Sequence, residues 1–438
     1  MEPNRAPSPL VEHLNQKGSS FADLCSECGK CAEVCPVIRE SSPILQQAKP
    51  TQVIGDVVKV LRGNPASEYA KTWAEICTGS GKCIPHCPEG INPRLMLSIT
   101  LSKIRKEQTV SKENPLNGFY RRMSQIIKLA AGMQMTPEEY KRITGMTGNP
   151  ENAEFIFYIG CNVIRTPVIV FTAMDILDQL GIEYAMLGGN ANCCGIIHLK
   201  WHGDANAAGK MNSNTVDKMA ALNPKKVLHW CPTCVLQFGE TVDGYKPYPF
   251  DFQHFSDYLF SRLDSIAPRL KPIKRRVALH SHDGGLSIGK SVEKILDAIP
   301  GLELVEFEEH EHWAYNCGPG ALNNVESMRR DAHMQTLKSA VAAGADTVAT
   351  LYHTCHRDLC VFEKQFPVEV LNWTQIVSES LSLPEHPDLY KSMKLQDEVA
   401  VAIDDASEFI KMNNLDVEAL KSALPEMMLG KDEGISLW

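Results

Sequence analysis

The chain has 438 residues, is 44% hydrophobic and carries a formal net charge of −9. That size and apolar content fit two or three globular domains with real cores, and the acidic balance argues against nucleic acid as the main partner. No run of about 18 apolar residues appears, so no transmembrane segment is expected, and the opening "MEPNRAPSPL" has no apolar signal-peptide core. Fifteen cysteines in such a chain read as metal ligands. A reducing cytosol keeps thiols out of disulfides, so the expected location is cytoplasmic.

The first cysteine run is "CSECGKCAEVCP", which sets Cys25, Cys28, Cys31 and Cys35 in a C-x2-C-x2-C-x3-C-P pattern ending at Pro36. It resembles the bacterial ferredoxin run for a [4Fe–4S] cubane. Three thiolates on one tight loop reach three irons, and the fourth cysteine leaves toward a different cluster. Zinc is disfavoured because it usually takes two separated CxxC pairs.

A second run, "CTGSGKCIPHCP", holds Cys77, Cys83 and Cys87, with Ser80 where a further ligand belongs. In a two-cluster arrangement the fourth cysteines swap. Cluster one then takes Cys25, Cys28, Cys31 and Cys87, and cluster two takes Cys35, Cys77 and Cys83. Three readings of Ser80 stay open: ligation through its oxygen, a [3Fe–4S] cluster lacking the corner iron, or a [4Fe–4S] cluster whose fourth iron takes water or another group. Neutral serine is a poor iron ligand, which favours three cysteines holding a [3Fe–4S] or labile [4Fe–4S] cluster.

Between the runs, Val53, Val57, Val58, Val60 and Leu61 recur at near-helical spacing. "SEYAKTWAEIC" and, after Pro93, "RLMLSITLSKIRKEQ" read as further helices. Residues 15–107 are therefore expected to form an α-helical ferredoxin domain with two clusters.

Residues 108–150 read as a linker and an amphipathic helix, "FYRRMSQIIKLAAGMQM". Phe119, Met123, Ile126, Ile127 and Ala130 share a face, beside Arg121, Arg122 and Lys128. The expectation is a helix packed on its own domain, with a membrane-surface or partner helix as the alternative.

From residue 154, strands alternate with helices: "EFIFYIG", "TPVIVFTAMDILDQL", "IEYAML", "DANAAGKMNSNTVDKMAAL" and "KKVLHW". That pattern implies a parallel sheet. Cys161, the pair Cys193–Cys194, and the pair Cys231 and Cys234 fall just past three of the strands. Loops at the carboxyl ends of parallel strands converge, so these five should meet in one pocket. Adjacent cysteines suit an opened polynuclear cluster better than one tetrahedral ion.

The order Cys161, Cys193–Cys194–Gly195, Cys231-Pro-Thr-Cys234 resembles the cysteine-rich CCG domain. That domain occurs in the catalytic subunits of heterodisulfide reductases and in iron–sulfur subunits related to anaerobic glycerol-3-phosphate, glycolate and lactate dehydrogenases. The resemblance implies that Cys161, Cys193, Cys194, Cys231 and Cys234 hold a noncubane [4Fe–4S] cluster as the catalytic site. A ferredoxin domain followed by CCG domains resembles the fused heterodisulfide reductase subunit.

A weaker copy recurs about 120 residues further on. "RRVALH", "LELVEFE" and "DTVATLY" read as strands, and "SIGKSVEKILDAI" as a helix. Asp283 aligns with Cys161, Asn316–Cys317–Gly318 with Cys193–Cys194–Gly195, and Tyr352 and Cys355 with Cys231 and Cys234. Two of five cysteines survive, so a second noncubane cluster is not expected. His280, His282, Asp283, Cys317, His353, Cys355 and His356 are instead candidates for one zinc or iron ion, with His282, Asp283, Cys317 and Cys355 as its core. A cluster-free scaffold is the alternative. His310 and His312 read as a solvated acidic loop, and Cys360 as buried packing.

The expected fold is α+β and multidomain: the α-helical ferredoxin domain, a first CCG domain over 151–270, a second, cysteine-degenerate one over 271–385, and a helical tail over 386–438. The tail carries Leu415, Val417, Leu420 and Leu424 at helical spacing and would dock on the body or on a partner. The expected function is that of a heterodisulfide-reductase-like oxidoreductase subunit. Electrons would pass from a flavoprotein or electron-transfer flavoprotein to the noncubane cluster for thiol/disulfide chemistry. The alternative is a relay toward quinone without a substrate of its own, with a quinone-reactive or membrane partner holding the chain at the inner face of the membrane. A zinc-binding interaction protein is a third reading, disfavoured by the cysteine spacing.

Overall fold

The computed structural model describes residues 9–114, 118–145, 153–282, 284–309 and 326–425. Helices Pro9–Leu24, Pro50–Leu61, Glu68–Ile76 and Pro93–Val110 frame the two cysteine loops. Their starts follow from local chemistry. Ser67 Oγ accepts from the Ala70 N–H at 3.2 Å and Asn92 Oδ1 from the Leu95 N–H at 3.0 Å, while Pro50 and Pro93 take the first turn, where no amide is needed. Helix Pro50–Leu61 is buried nearly all round: Val53, Ile54, Val57, Val58 and Leu61 are each at most 2% exposed. Each such side chain contributes about 1.5–3 kcal/mol on leaving water.

Two four-stranded, wholly parallel sheets follow. The first holds β1 (Phe155–Gly160), β2 (Tyr184–Gly188), β3 (Lys226–His229) and β4 (Asp251–His254) in the order β2-β1-β3-β4. The second holds β5 (Arg275–His280), β6 (Leu302–Leu304), β7 (Thr347–Thr350) and β8 (Glu369–Asn372) in the order β6-β5-β7-β8. This is a doubly wound order, with its crevice between the first and third strands of each sheet. The α+β multidomain reading therefore holds.

The register relates the halves. Tyr158 pairs with His229 between β1 and β3, and His280 pairs with Thr350 between β5 and β7. Counting from those pairs sets Tyr352 at the place of Cys231 and Cys355 at that of Cys234, as the sequence alignment has it. The halves meet back to back. Trp230 stacks on Trp373 at 6.3 Å and 10°, and Trp373 also meets Phe255 at 5.8 Å. Phe255 and Trp373 hold equivalent positions after β4 and β8.

The sequence reading lacked β4 and β8. "DFQH" and "EVLN" are four residues long and partly polar, so no alternation betrays them. It also lacked helix Ile196–His202, directly after Gly195.

Helix Phe119–Gly132 spends its apolar surface inside the protein. Phe119, Met123 and Ile127 enter the core of the two sheets, while Ile126 and Ala130 pack on the C-terminal helices. Those helices, Leu389–Gln396, Val399–Asp405, Ser407–Met412 and Val417–Leu424, dock on the body. Asn413 Nδ2 donates to the carbonyls of Gly132 and Met135 at 3.0 and 2.7 Å. Among the described residues no helix is long and apolar enough to cross a membrane.

Arg94 joins three parts of the chain. Its Nη1 donates to Gly79 O in the second cysteine loop at 2.8 Å and to Gly284 O past β5 at 2.7 Å. Its Nε donates to the Glu240 carboxylate at 3.2 Å, and its Nη2 pairs with the same group. The guanidinium is 8% exposed and Glu240 21%. Arg94→Met leaves Glu240 and two carbonyls without their donor. It should cost about 3 kcal/mol, measured as a lower urea midpoint for the anaerobic protein. An unchanged midpoint would mean that the tie carries no stability.

Candidate metal centres

The thiols of the two N-terminal cysteine loops act on one another. Burial pushes the Cys31 thiol up to about 12, and the neighbouring charges that add to this are Cys25, Cys28 and Cys87. Burial also raises the Cys83 thiol, with the charges of Cys77, Cys35 and Cys31 adding to it and Arg94 opposing it. Cys87 of the second loop thus acts on Cys25 and Cys31, and Cys35 of the first loop acts on Cys83. Cys28 is exposed and Cys31 buried, with Cys25, Cys35, Cys77, Cys83 and Cys87 between. Ser80 is half-buried in the loop between Cys77 and Cys83.

The donor set fits anionic clusters. Backbone N–H groups face the sulfurs: Glu27 at Cys25, Ala32 at Cys31, Ile38 and Val37 at Cys35. Amides converging on one concavity favour negative charge. The packed thiols raise one another's affinity for protons, a conflict that a bound metal removes by deprotonating its ligands.

The first sheet brings its five cysteines together. Cys161 follows β1, Cys193 and Cys194 follow β2, and Cys231 caps the helix Pro232–Leu236 after β3. Cys161 Sγ lies 3.9 Å from Cys193 Sγ. Cys193, Cys194, Cys231 and Cys234 are buried and Cys161 is partly so. Hydrogen bonds from the Cys161 and Cys194 thiols hold Cys193 well below its ordinary value, helped by the Gly195 N–H, which is 3.5 Å from its sulfur. Thr215 Oγ1 and Asn212 Nδ2 donate to the carbonyls of Cys193 and Cys194 at 3.0 and 3.3 Å, which fixes the loop. Gly195 has φ +88°, and a Cβ there would stand 2.6 Å from Ala208 O, so glycine is required.

Three flanking residues were not read from the sequence. Tyr158 Oη donates to Asn192 O at 2.8 Å and lies 3.9 Å from Cys234 Sγ. Tyr120 packs on His198 with ring centroids 4.4 Å apart. Burial raises the Tyr120 hydroxyl, with Cys193 and Cys161 adding to it. Tyr158 had a signal, being the one side chain with a polar group in an otherwise apolar strand. The other two became visible through packing.

The second sheet gathers a different set. His280, His282 and Cys355 are buried, with donor atoms all within 4.8 Å of one another. His282 Nε2 is 3.1 Å from Cys355 Sγ, and His280 Nδ1 is 2.6 Å from Glu309 Oε1. His353 and His356 do not join them. His356 Nε2 bonds Asp388 Oδ2 at 2.6 Å, and His353 is not among the converging donors. The reason is helical: both sit on His353–Leu359 with Cys355, and residues one or two apart on a helix do not share a face. Asp283, Cys317, His310 and His312 lie outside the described residues. Cys360 is fully buried in an apolar cluster, as expected of packing.

Two cavities link the centres. One of about 50 Å³ is lined by Cys77 from the second ferredoxin-type loop and by Ile196 and Thr233 from the first sheet's cysteine loops. A cleft of about 890 Å³ has Ser80, Lys82 and Arg94 on one wall and His282 and Glu309 on another.

Comparison with known proteins agrees with this architecture. The model of the 4Fe-4S dicluster domain matches residues 21–91, and that of the cysteine-rich (CCG) domain matches 155–239 and 282–359. One relative is a subunit of the dihydromethanophenazine:CoB–CoM heterodisulfide reductase of Methanosarcina barkeri. The chain is 22% identical to it over 417 residues, covering 86% of this chain and 98% of that protein. Identity to its counterpart from Methanosarcina mazei is 23%, with the same coverage. A subunit of the fumarate reductase (CoM/CoB) of Methanothermobacter marburgensis is 25% identical over 311 residues, 68% of this chain and 58% of that protein. The chain thus combines a 4Fe-4S dicluster domain with two cysteine-rich domains and is homologous to these heterodisulfide reductase subunits.

Gly195→Ala forces a left-handed backbone on a side chain and drives it into Ala208 O. The expected cost is about 2 kcal/mol or more, measured as a lower anaerobic urea midpoint. A wild-type midpoint would show that the loop has slack.

Proposed function

We propose that the chain is the iron–sulfur subunit of an oxidoreductase complex, carrying electrons through two ferredoxin-type clusters to a noncubane [4Fe–4S] cluster that handles a disulfide or thiol. Cys25, Cys28, Cys31 and Cys87 would hold a cubane. Cys35, Cys77 and Cys83 would hold a [3Fe–4S] or labile [4Fe–4S] cluster with its open corner at Ser80. Cys161, Cys193, Cys194, Cys231 and Cys234 would hold the noncubane cluster.

The observation that carries this reading is adjacency. Cys77 shares a cavity wall with Ile196 and Thr233, the residues that follow Gly195 and lie between Cys231 and Cys234. The second electron site therefore abuts the first sheet's cysteine loops. At the other end Cys28 is exposed, which suits electron entry from a flavoprotein or electron-transfer flavoprotein. Such a partner, with a quinone-reactive or membrane component, would set the chain at the inner face of the cytoplasmic membrane.

Reducing a disulfide to two thiols takes up two electrons and two protons. When bound, an opened cluster supplies the electrons and an iron that accepts sulfur. The protein's own groups do the rest. Burial of Cys193, Cys194 and Cys234 keeps water out and strengthens every electrostatic contact. The Gly195 N–H stabilises negative charge at Cys193. His198, whose ordinary value is lowered by burial and partly restored by Cys193, is the protonatable ring beside that sulfur. The heterodisulfide reductase relatives, by their name, act on a CoB–CoM disulfide, which supports a disulfide as the substrate class.

A second reading, a relay to quinone without its own substrate, draws on the other half. There Tyr352 stands at the place of Cys231, and Cys355 alone among the described positions keeps a cysteine. Low-temperature EPR of the anaerobic, oxidised protein separates the two. A signal that appears only with added thiol is expected for the reductase; no response to thiol would favour the relay. Ser80→Cys checks the second cluster. It should replace an oxidised-state [3Fe–4S] signal with an EPR-silent [4Fe–4S]²⁺ cluster and raise iron by about one per chain. A [3Fe–4S] signal that persists in Ser80→Cys at unchanged iron content would remove Ser80 from the cluster's corner.

A further inference from the structure

We propose that the second cysteine-rich domain holds one zinc ion between His280, His282 and Cys355. The proposal is independent of the cluster assignments above. Zinc binds imidazole nitrogen at about 2.0–2.1 Å and thiolate sulfur at about 2.3 Å, which puts tetrahedral donors about 3.3–3.8 Å apart. His282 Nε2 and Cys355 Sγ are 3.1 Å apart, and the three donor atoms fit within 4.8 Å. The zinc-bound spacing falls between the 3.1 Å of that pair and the 4.8 Å limit of the set.

The surroundings are those of a metal ligand set. The three residues are 0%, 5% and 0% exposed. His280 Nδ1 bonds Glu309 Oε1 at 2.6 Å, and the other carboxylate oxygen accepts from the Ser281 N–H at 3.1 Å. A carboxylate on one ring nitrogen orients the other toward a metal and raises its basicity.

The place in the fold is equally telling. β5 and β7 flank the crevice of the second sheet, as β1 and β3 do in the first. Cys355 occupies the position of Cys234, while His280 occupies that of Tyr158. One thiolate with two imidazoles is too few sulfurs for a cluster and suits a borderline-soft divalent ion. Binding is a simple exchange in which Zn²⁺ displaces the Cys355 thiol proton. The ion would sit at the wall of the cleft that also carries Ser80, because His282 and Glu309 line it.

The test is metal analysis of the full chain, purified anaerobically and dialysed against EDTA, with zinc and iron counted in the same samples. About one zinc per chain is expected, with a zinc-edge X-ray absorption spectrum that requires both nitrogen and sulfur neighbours. His282→Ala and Cys355→Ser, singly and together, should lower zinc by tenfold or more at unchanged iron. Iron reports the clusters and the fold, so failure of the cluster assignments reads out separately. Should a variant fail to fold, the zinc-edge spectrum of the wild type decides. Iron-replete wild type that takes up no zinc even when it is supplied, zinc retained in the double variant, or a zinc shell without sulfur would each overturn the proposal. His282 and Cys355 would then be a hydrogen-bonded pair in a scaffold.

Discussion

The arrangement depends on a buried guanidinium. Arg94 has hydrogen-bonding capacity in several directions at once, and it spends this on Gly79 O, Gly284 O and Glu240. Those groups belong to the second cysteine loop, the second sheet's crevice and the segment after Cys234. No apolar side chain could do the same, because packing is non-directional while these donors each fix one backbone. Gly81 completes the contact: its φ is +76°, and a Cβ there would stand 2.6 Å from Gly284 O and 2.8 Å from Arg94 Nη1. The loop with Ser80 can approach the second sheet only as bare backbone. Three candidate centres from three parts of the chain thereby share one small region.

What the sequence disclosed and what it hid follow from how local each constraint is. Cysteine spacings such as Cys25, Cys28, Cys31 and Cys35 are dictated by bond lengths to a compact cluster, so they are legible in a dozen residues. The exchange of Cys35 and Cys87 between loops is also an expectation drawn from spacing. Strands with apolar runs, such as Phe155–Gly160, announce themselves. Asp251–His254 and Glu369–Asn372 do not, since each is set by pairing to a neighbour and not by its own residues. His280, His282 and Cys355 were candidates among many. Only helix geometry separates Cys355 from His353 and His356, and spacing alone does not say which face of that helix looks at β5. Tyr120 and His198 came to the first cysteine pocket through packing of two helices, which no local pattern records.

The amphipathic helix Phe119–Gly132 makes a related point. Its sequence offered a membrane face as an alternative, because a moment says that one side is apolar and not what covers it. Here two different cores cover it. The sheet side takes Phe119, Met123 and Ile127, and the C-terminal helices take Ile126 and Ala130. The helix is a spacer between the two sheets and the C-terminal tail, held at the far end by Asn413.

The two sheets share strand order and register yet differ in what stands at their crevices. β5 through β8 pair as β1 through β4 do, although Tyr352 stands in place of the Cys231 thiol. Hydrophobic burial and backbone pairing therefore carry the folding of each half, and the crevice residues are free to drift. A duplicated unit of this kind lets evolution keep one copy at its original chemistry while the other samples new ligands, with no loss of architecture during the search.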